Sequence, residues 1–220
     1  MIMRYEGVKQ RMRLALQAAG RTPSAADLVA VSKTFLSEEI LPVILAGHRK
    51  FGENRVQESH TKWPTLKQKF PGIELHLIGP LQSNKVDEAV ELFDVIQTID
   101  RPKIAAAVAT ACQKSRRQIS CLIQVNIGSE PQKAGIAPDA ADSFILSCIR
   151  HHGLNVTGVM CIPPVDENPV PYFETLKNIA ARNHLKEISM GMSDDFEEAL
   201  AHGSTLIRVG SAIFGKREKA

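Results

Sequence analysis

The sequence predicts a single (β/α)8 barrel preceded by one helix, and three observations carry that prediction. Apolar runs rich in Val, Ile and Leu recur eight times, near residues 28–32, 50–52, 74–79, 94–98, 119–127, 154–161, 186–190 and 205–209. Helical patterns fall between them, at about 37–47, 53–62, 83–91, 102–115, 138–151, 170–182 and 193–203, which is the alternation of parallel βα units. Polar residues and glycines gather just after the strand ends: Lys33, Gly52-Glu53-Asn54, Gly79-Pro80, Asn126 and Gly210-Ser211, with Met160 among them. A doubly wound sheet shares the first two properties. A closed barrel of eight puts all those strand ends around one mouth.

Each element follows in order. Residues 2–20 place Val8, Met12, Ala15, Leu16 and Ala19 on one helical face, with Gly20 as the stop. The first strand, Leu28-Val29-Ala30-Val31, runs into Ser32 and Lys33. Phe51-Gly52 is a short strand turning through glycine into a helix, with Glu53 or Asn54 as its N-cap and Arg55 and Glu58 in surface pairs. His76-Leu77-Ile78 ends at the sharp turn Gly79-Pro80, and Ser83 is a natural cap for the next helix. Gln124-Val125-Asn126 closes the fifth strand, with Glu130, Lys133 and Gly135 in the loop beyond it. The sixth strand leads into Ile162 to Pro169, a proline-rich acidic stretch that reads as a rigid connector or a lid. Ser193-Asp194-Asp195-Phe196-Glu197 sets a hydroxyl and three acids around a helix N-terminus, and Leu206 to Val209 runs into Gly210-Ser211 and a short turn.

Composition narrows the functional classes. At 220 residues and 44% hydrophobic, the chain buries a core large enough for one domain spanning 1–220. Its 27 basic and 24 acidic residues leave only +3. The basic clusters are short, Arg11 with Arg13, Lys114 with Arg116 and Arg117, and Lys216-Arg217, and they read as solvated helix faces. Aromatics are 5% and scattered, so no nucleic-acid partner is expected. Cys112, Cys121, Cys148 and Cys161 form no C-x-x-C pair and read as small packed thiols, so neither a metal site nor a disulfide is expected. Cys161, ending a strand, is the one candidate for a reactive thiol at the mouth, with packing the favoured reading for it as well. The N-terminus lacks a signal-peptide core and no apolar run has membrane-spanning length, so a cytoplasmic protein without a membrane partner is expected.

The chemistry is read at the strand ends. A lysine closing an apolar strand loses hydration, which favours the neutral amine that attacks an aldehyde, so Lys33 is the expected Schiff-base residue. The segment from Ile188 to Gly215 reads as an anion cradle: a helix start at Ser193, the guanidinium of Arg208, and a turn at Gly210-Ser211 where backbone N–H groups come close. A buried arginine needs an anion or an electron-rich partner. An amine and a phosphate cradle together describe a phosphorylated carbonyl compound, pyridoxal 5′-phosphate foremost; a Schiff-base aldolase of phosphosugars would share these parts. Asn54 either lines the mouth or only caps its helix. His76, on an apolar strand and without a partner at triad or metal spacing, takes a supporting role.

These residues stand in longer motifs: VSKT at 31–34, FGENRVQE at 51–58, HLIGPLQSNK at 76–85, QVNIGSEPQKAGI at 124–136, GVMCIPP at 158–164, SMGMSDDFEEAL at 189–200 and GSTLIRVGSAIFG at 203–215. Nearly end to end, the chain resembles the YggS/PROSC-type pyridoxal phosphate homeostasis proteins, relatives of the alanine racemase N-terminal barrel. The resemblance implies a fold-type III barrel that holds pyridoxal phosphate as a Schiff base on Lys33. Ser193, Gly210 and Ser211 would then meet the phosphate, Arg208 would lie near the pyridine nitrogen or phosphate, and Asn54 would sit in the pocket. It also implies support of cellular pyridoxal phosphate and amino-acid balance, with apo enzymes as recipients of the cofactor. The chain departs from the family's pattern at Thr34-Phe35-Leu36, at Arg55 and at Leu75 and Leu77, all near the entrance. Alanine racemases add a C-terminal β domain, and a chain ending at Ala220 is expected to lack it. Binding without robust catalysis is therefore the expectation, with no catalytic residue assigned and a slow amino-acid racemase as the alternative.

Overall fold

The structure, a computed structural model, describes residues 1–215. Eight strands pair in sequence order, all parallel: β1 (Asp27–Val31), β2 (Lys50–Glu53), β3 (Glu74–Leu77), β4 (Val95–Ile99), β5 (Ser120–Val125), β6 (Asn155–Cys161), β7 (Glu187–Ser189) and β8 (Leu206–Val209). β8 returns to β1 with Asp27 opposite Leu206 and Ala30 opposite Val209, which closes the barrel. Helix α1 (Ile2–Ala18) precedes it, and α2 (Ser37–Leu45), α3 (Val56–Lys69), α4 (Val86–Leu92), α5 (Pro102–Ser115), α6 (Ala141–Arg150), α7 (Val170–Arg182) and α8 (Phe196–Ala201) fill the connections. The short α9 (Ser211–Phe214) follows β8.

Strand alternation divides the core in two. Val29, Val95, Leu122, Met160 and Leu206 fill the bore as one cluster. Their strand neighbours, such as Ala30, Ile96, Ile123 and Ile207, face the helices and merge into the larger outer cluster. Tyr5, Val8, Met12 and Leu16 form the buried stripe of α1. That helix is tied to the end of the chain by Arg11, which donates to both Glu197 oxygens, and by Arg4, which donates to the carbonyls of Ile213 and Phe214.

Three expectations are corrected. The helix expected over 53–62 runs from Val56 to Lys69, straight through Pro64, because Trp63 and Leu66 anchor its middle in the core. Glu53 is therefore no cap: it ends β2 and is fully buried, and Arg55 holds the cap position. The helix expected from 193 begins at Phe196, since Asp195 Oδ1 takes the N–H of Met192 and keeps 191–195 as a turn. Ser83 likewise opens a 3-10 turn capped by Gln82 instead of capping a helix itself. Among the described residues no helix is long and apolar enough to cross a membrane.

Candidate functional site

A cleft of about 480 Å³ opens where the strands end. Lys33, Asn54, Ser193, Arg208, Gly210 and Ser211 all line it, so the fold brings together the six residues singled out by the sequence. They come from the ends of β1, β2, β7 and β8, more than 170 positions apart in the chain at the extremes.

Lys33 stands two residues beyond β1, in a turn and not on the strand. That turn is pinned from below. Ser32 Oγ donates to Glu53 Oε1 at 2.7 Å, the N–H of Thr34 donates to Glu58 Oε1 at 2.5 Å, and Lys62 Nζ donates to the carbonyls of Ser32 and Phe35 at 3.1 Å each. Lys62 also lies 2.7 Å from Glu53 Oε1, which accepts the Trp63 indole N–H as well. Burial pushes the Glu53 carboxyl up, against the pull of Lys62 and its hydrogen-bond donors. Glu58 thus serves Thr34 and Lys62, and the surface pair expected with Arg55 is replaced by this inward contact.

Asn54 follows β2 and presents an Oδ1 that is buried and has no hydrogen-bond partner. Its backbone leans on Gly79: a Cβ there would lie 2.2 Å from the Asn54 carbonyl oxygen, so only glycine lets the two strand ends approach. On the opposite side, Ser193 Oγ accepts the N–H of Ala212 at 3.3 Å, joining the 191–195 turn to the start of α9. Gly210 has a packing reason of its own, since an added Cβ would come within 3.1 Å of the Val31 carbonyl oxygen.

Arg208 is 4% exposed. Its Nη1 donates to Ser189 Oγ at 2.6 Å and its Nη2 to the Cys161 carbonyl at 2.8 Å, both neutral acceptors. Among the ion pairs of the described residues none involves Arg208. Burial pulls its pKa down from the usual guanidinium value.

Cys161 packs, as the reading favoured from the sequence has it, and is not the reactive thiol that its strand-end position also allowed. Its side chain belongs to the outer core, burial pushes the thiol up to about 12, and only its backbone carbonyl serves the site. His76 is a core residue, 1% exposed. Glu130 and Lys133 bolt one loop to another: Lys133 Nζ pairs with Glu130 and donates to the Pro163 carbonyl at 2.9 Å, which sets Ile162 against the cleft. Of the basic clusters, Lys114 is a surface partner of Asp87, whereas Arg117 folds back onto the Val90 carbonyl; Lys216-Arg217 lies outside the described residues.

Of the apolar walls, Phe35 was placed near the entrance by the sequence, whereas Ile78, Ile162 and Met192 were missed. Each stands just past a strand end, and that position was the available signal. Their apolar identity hid them among core residues.

The sequence profile of the family described as "Alanine racemase, N-terminal domain" matches residues 6–218. A protein of Pasteurella multocida (strain Pm70), named pyridoxal phosphate homeostasis protein, is 38% identical over 221 residues, covering 96% of this chain and 95% of its own. PipY of Synechococcus elongatus PCC7942, solved without PLP, superposes with a TM-score of 0.83 at 34% identity, over 93% of this chain and 99% of that one. The same protein solved with PLP bound gives 0.81 at 32% identity, over 93% and 100%.

Proposed function

The chain belongs to the alanine racemase N-terminal domain family, and on that premise we propose that it binds pyridoxal 5′-phosphate in this cleft and serves pyridoxal phosphate homeostasis. One observation carries the reading: an amine, a carboxamide, a hydroxyl, a guanidinium and a glycine turn, from four strand ends, line one cleft. Its volume falls within the range of about 300–1,000 Å³ usual for small-molecule sites. The orphaned Oδ1 of Asn54 is a buried acceptor that only a ligand or water satisfies.

Pyridoxal phosphate supplies an aldehyde that condenses reversibly with an amine, a ring nitrogen that accepts a hydrogen bond, and an anionic phosphate. Lys33 provides the amine, held in register by Ser32, Thr34 and Phe35. Ser193 and the backbone at Gly210-Ser211 take the phosphate, and Asn54 takes the ring's polar edge. Arg208 donates toward the ring nitrogen or the phosphate. A guanidinium is always a donor, so at the ring nitrogen it opposes protonation there and weakens the electron sink that amino-acid chemistry requires.

Binding and delivery to apo enzymes fit this chemistry better than turnover. Two-sided proton transfer needs a base on each face of the cofactor. Among the described residues, the titratable group lining the cleft beyond Lys33 and Arg208 is Asp194, which is exposed at the rim. A slow racemase would use Lys33 as one base and a mouth residue such as Asp194, or a water, as the other.

The test is the absorbance of the purified chain with pyridoxal phosphate, before and after borohydride, with mass spectrometry of the Lys33 peptide. A visible band fixed by reduction as a pyridoxyl adduct on Lys33 supports the reading. Absence of the band overturns it and favours the phosphosugar aldolase. Steady solvent-deuterium uptake at the Cα of alanine would establish the racemase.

A further inference from the structure

The bore behind Arg208 is lined by apolar side chains, yet a file of polar ones runs through it. Ser189 on β7 and Gln97 on β4 are fully buried, and His76 on β3 is 1% exposed. Arg208 Nη1 lies 2.6 Å from Ser189 Oγ, Ser189 Oγ lies 2.6 Å from Gln97 Oε1, and Gln97 Nε2 lies 2.8 Å from His76 Nδ1. His76 Nε2 then lies 2.7 Å from Glu74 Oε1, at the start of β3 and the far mouth of the barrel. There Lys50 Nζ bridges Glu74 at 3.2 Å and Asp27 at 3.0 Å. Polar groups are costly in such surroundings unless each is satisfied, so an unbroken file calls for a physical reason.

The two ends fix its direction. A guanidinium only donates and a carboxylate only accepts. Glu74 therefore requires the proton on His76 Nε2. A neutral imidazole then leaves Nδ1 bare, so Gln97 must offer its NH₂ to His76 and its carbonyl to Ser189. Ser189 spends its hydroxyl proton on Gln97 and keeps its lone pairs for Arg208. Every donor points the same way, from the cleft to the far mouth. A doubly protonated His76 would turn Gln97 round and aim its NH₂ at Ser189 Oγ, leaving the Ser189 hydroxyl proton without its acceptor.

We infer that Ser189, Gln97, His76 and Glu74 are positioning residues for Arg208: a one-way hydrogen-bond chain through the bore fixes the guanidinium with neutral acceptors and leaves its charge directed at the cleft. The alignment polarises each acceptor in turn, which strengthens the Arg208 to Ser189 bond without placing a carboxylate beside the guanidinium. A carboxylate there would consume the charge that a ligand needs. The role of that charge toward a ring nitrogen or phosphate rests on the pyridoxal phosphate reading; the chain itself does not.

The experiment uses the full ¹⁵N-labelled chain at about pH 8, above the ordinary imidazole range, free of cofactor, as wild type, Gln97→Leu and Glu74→Gln. Gln97→Leu breaks the file with a side chain of similar size. Glu74→Gln removes only the terminal charge at a partly exposed position, so its fold is preserved. In the wild type His76 is expected as the neutral Nε2–H tautomer, with Arg208 side-chain protons exchanging slowly. Arg208 exchange should quicken about tenfold in Gln97→Leu, and more modestly in Glu74→Gln, while the exposed Arg182 is unmoved. The pyridoxal phosphate dissociation constant should rise about tenfold in Gln97→Leu, as for loss of one charge-assisted bond. A proton on His76 Nδ1, alone or with one on Nε2, overturns the chain, as does unchanged Arg208 exchange in Gln97→Leu. A wild type that binds no pyridoxal phosphate refutes the cofactor reading, and the resonances of His76 and Arg208 still decide the chain.

Discussion

Lys62 on α3 sets its ammonium 2.7 Å from Glu53 Oε1 on β2, and neither side chain reaches solvent to more than 5%. Two charges are thus buried for the sake of a turn, since Lys62 also holds the carbonyls on both sides of the Lys33-Thr34 pair. Thr34 needs that support: its φ of +70° lies in the left-handed region that a β-branched residue avoids. The pair ties the stability of the barrel to the placement of the amine.

Lys62→Met should therefore cost about 3–5 kcal/mol of unfolding free energy, because it leaves the Glu53 charge buried alone. The double variant Glu53→Gln with Lys62→Met should recover much of that loss. Urea denaturation of the four chains measures the coupling, and purely additive losses would show that the two residues act separately.

His48 predicts a pH dependence. Burial pushes its imidazole down to about 4 from 6.5, with Nε2 against the Lys50 carbonyl and the ring edge-on to Tyr5 and Phe51. Above 6.5 the folded and unfolded chains are both neutral there. As the pH falls the unfolded chain binds the proton first, so stability is lost between about 6.5 and 4. The loss should reach roughly 3 kcal/mol, and His48→Gln should remove it. Denaturation midpoints across that range check the sign; an identical slope in His48→Gln would assign the loss to other groups.

Gly79→Ala tests the approach of two strand ends. The added methyl would sit 2.2 Å from the Asn54 carbonyl oxygen and 2.7 Å from its Cα, so one backbone segment must move. A cost of about 1–3 kcal/mol is expected, together with weaker pyridoxal phosphate binding, because Asn54 is displaced from the cleft. Unaltered binding would remove Asn54 from the set of contacts.

Arg208→Ala and Ser193→Ala should each weaken retention of pyridoxal phosphate by about 1–3 kcal/mol, the range of a charge-assisted hydrogen bond. Spectroscopic titration of both variants measures it. Unchanged affinity in both would dismantle the proposed phosphate and ring contacts, whereas Lys33→Ala should abolish the reducible linkage on a folded barrel.

The sequence by itself determined the order and kind of elements. Short Val, Ile and Leu runs between helical patterns suffice, because strand and helix periods are local properties of the chain. It also named five polar residues and one glycine of the cleft, since a polar or glycine residue in or just past an apolar strand is visible in one dimension. What only the tertiary structure decided was which of the other polar residues face inward and what they meet. Glu53 read as a cap and became a buried acceptor; Cys161 read foremost as a packed thiol, and its carbonyl turns out to hold Arg208. Gln97, Ser189 and His76 lie about 20 to 110 positions apart, yet closure of the barrel sets them in one file behind Arg208. Closure is a global condition on eight strands, and no local pattern encodes the side-chain pairings it creates across the bore.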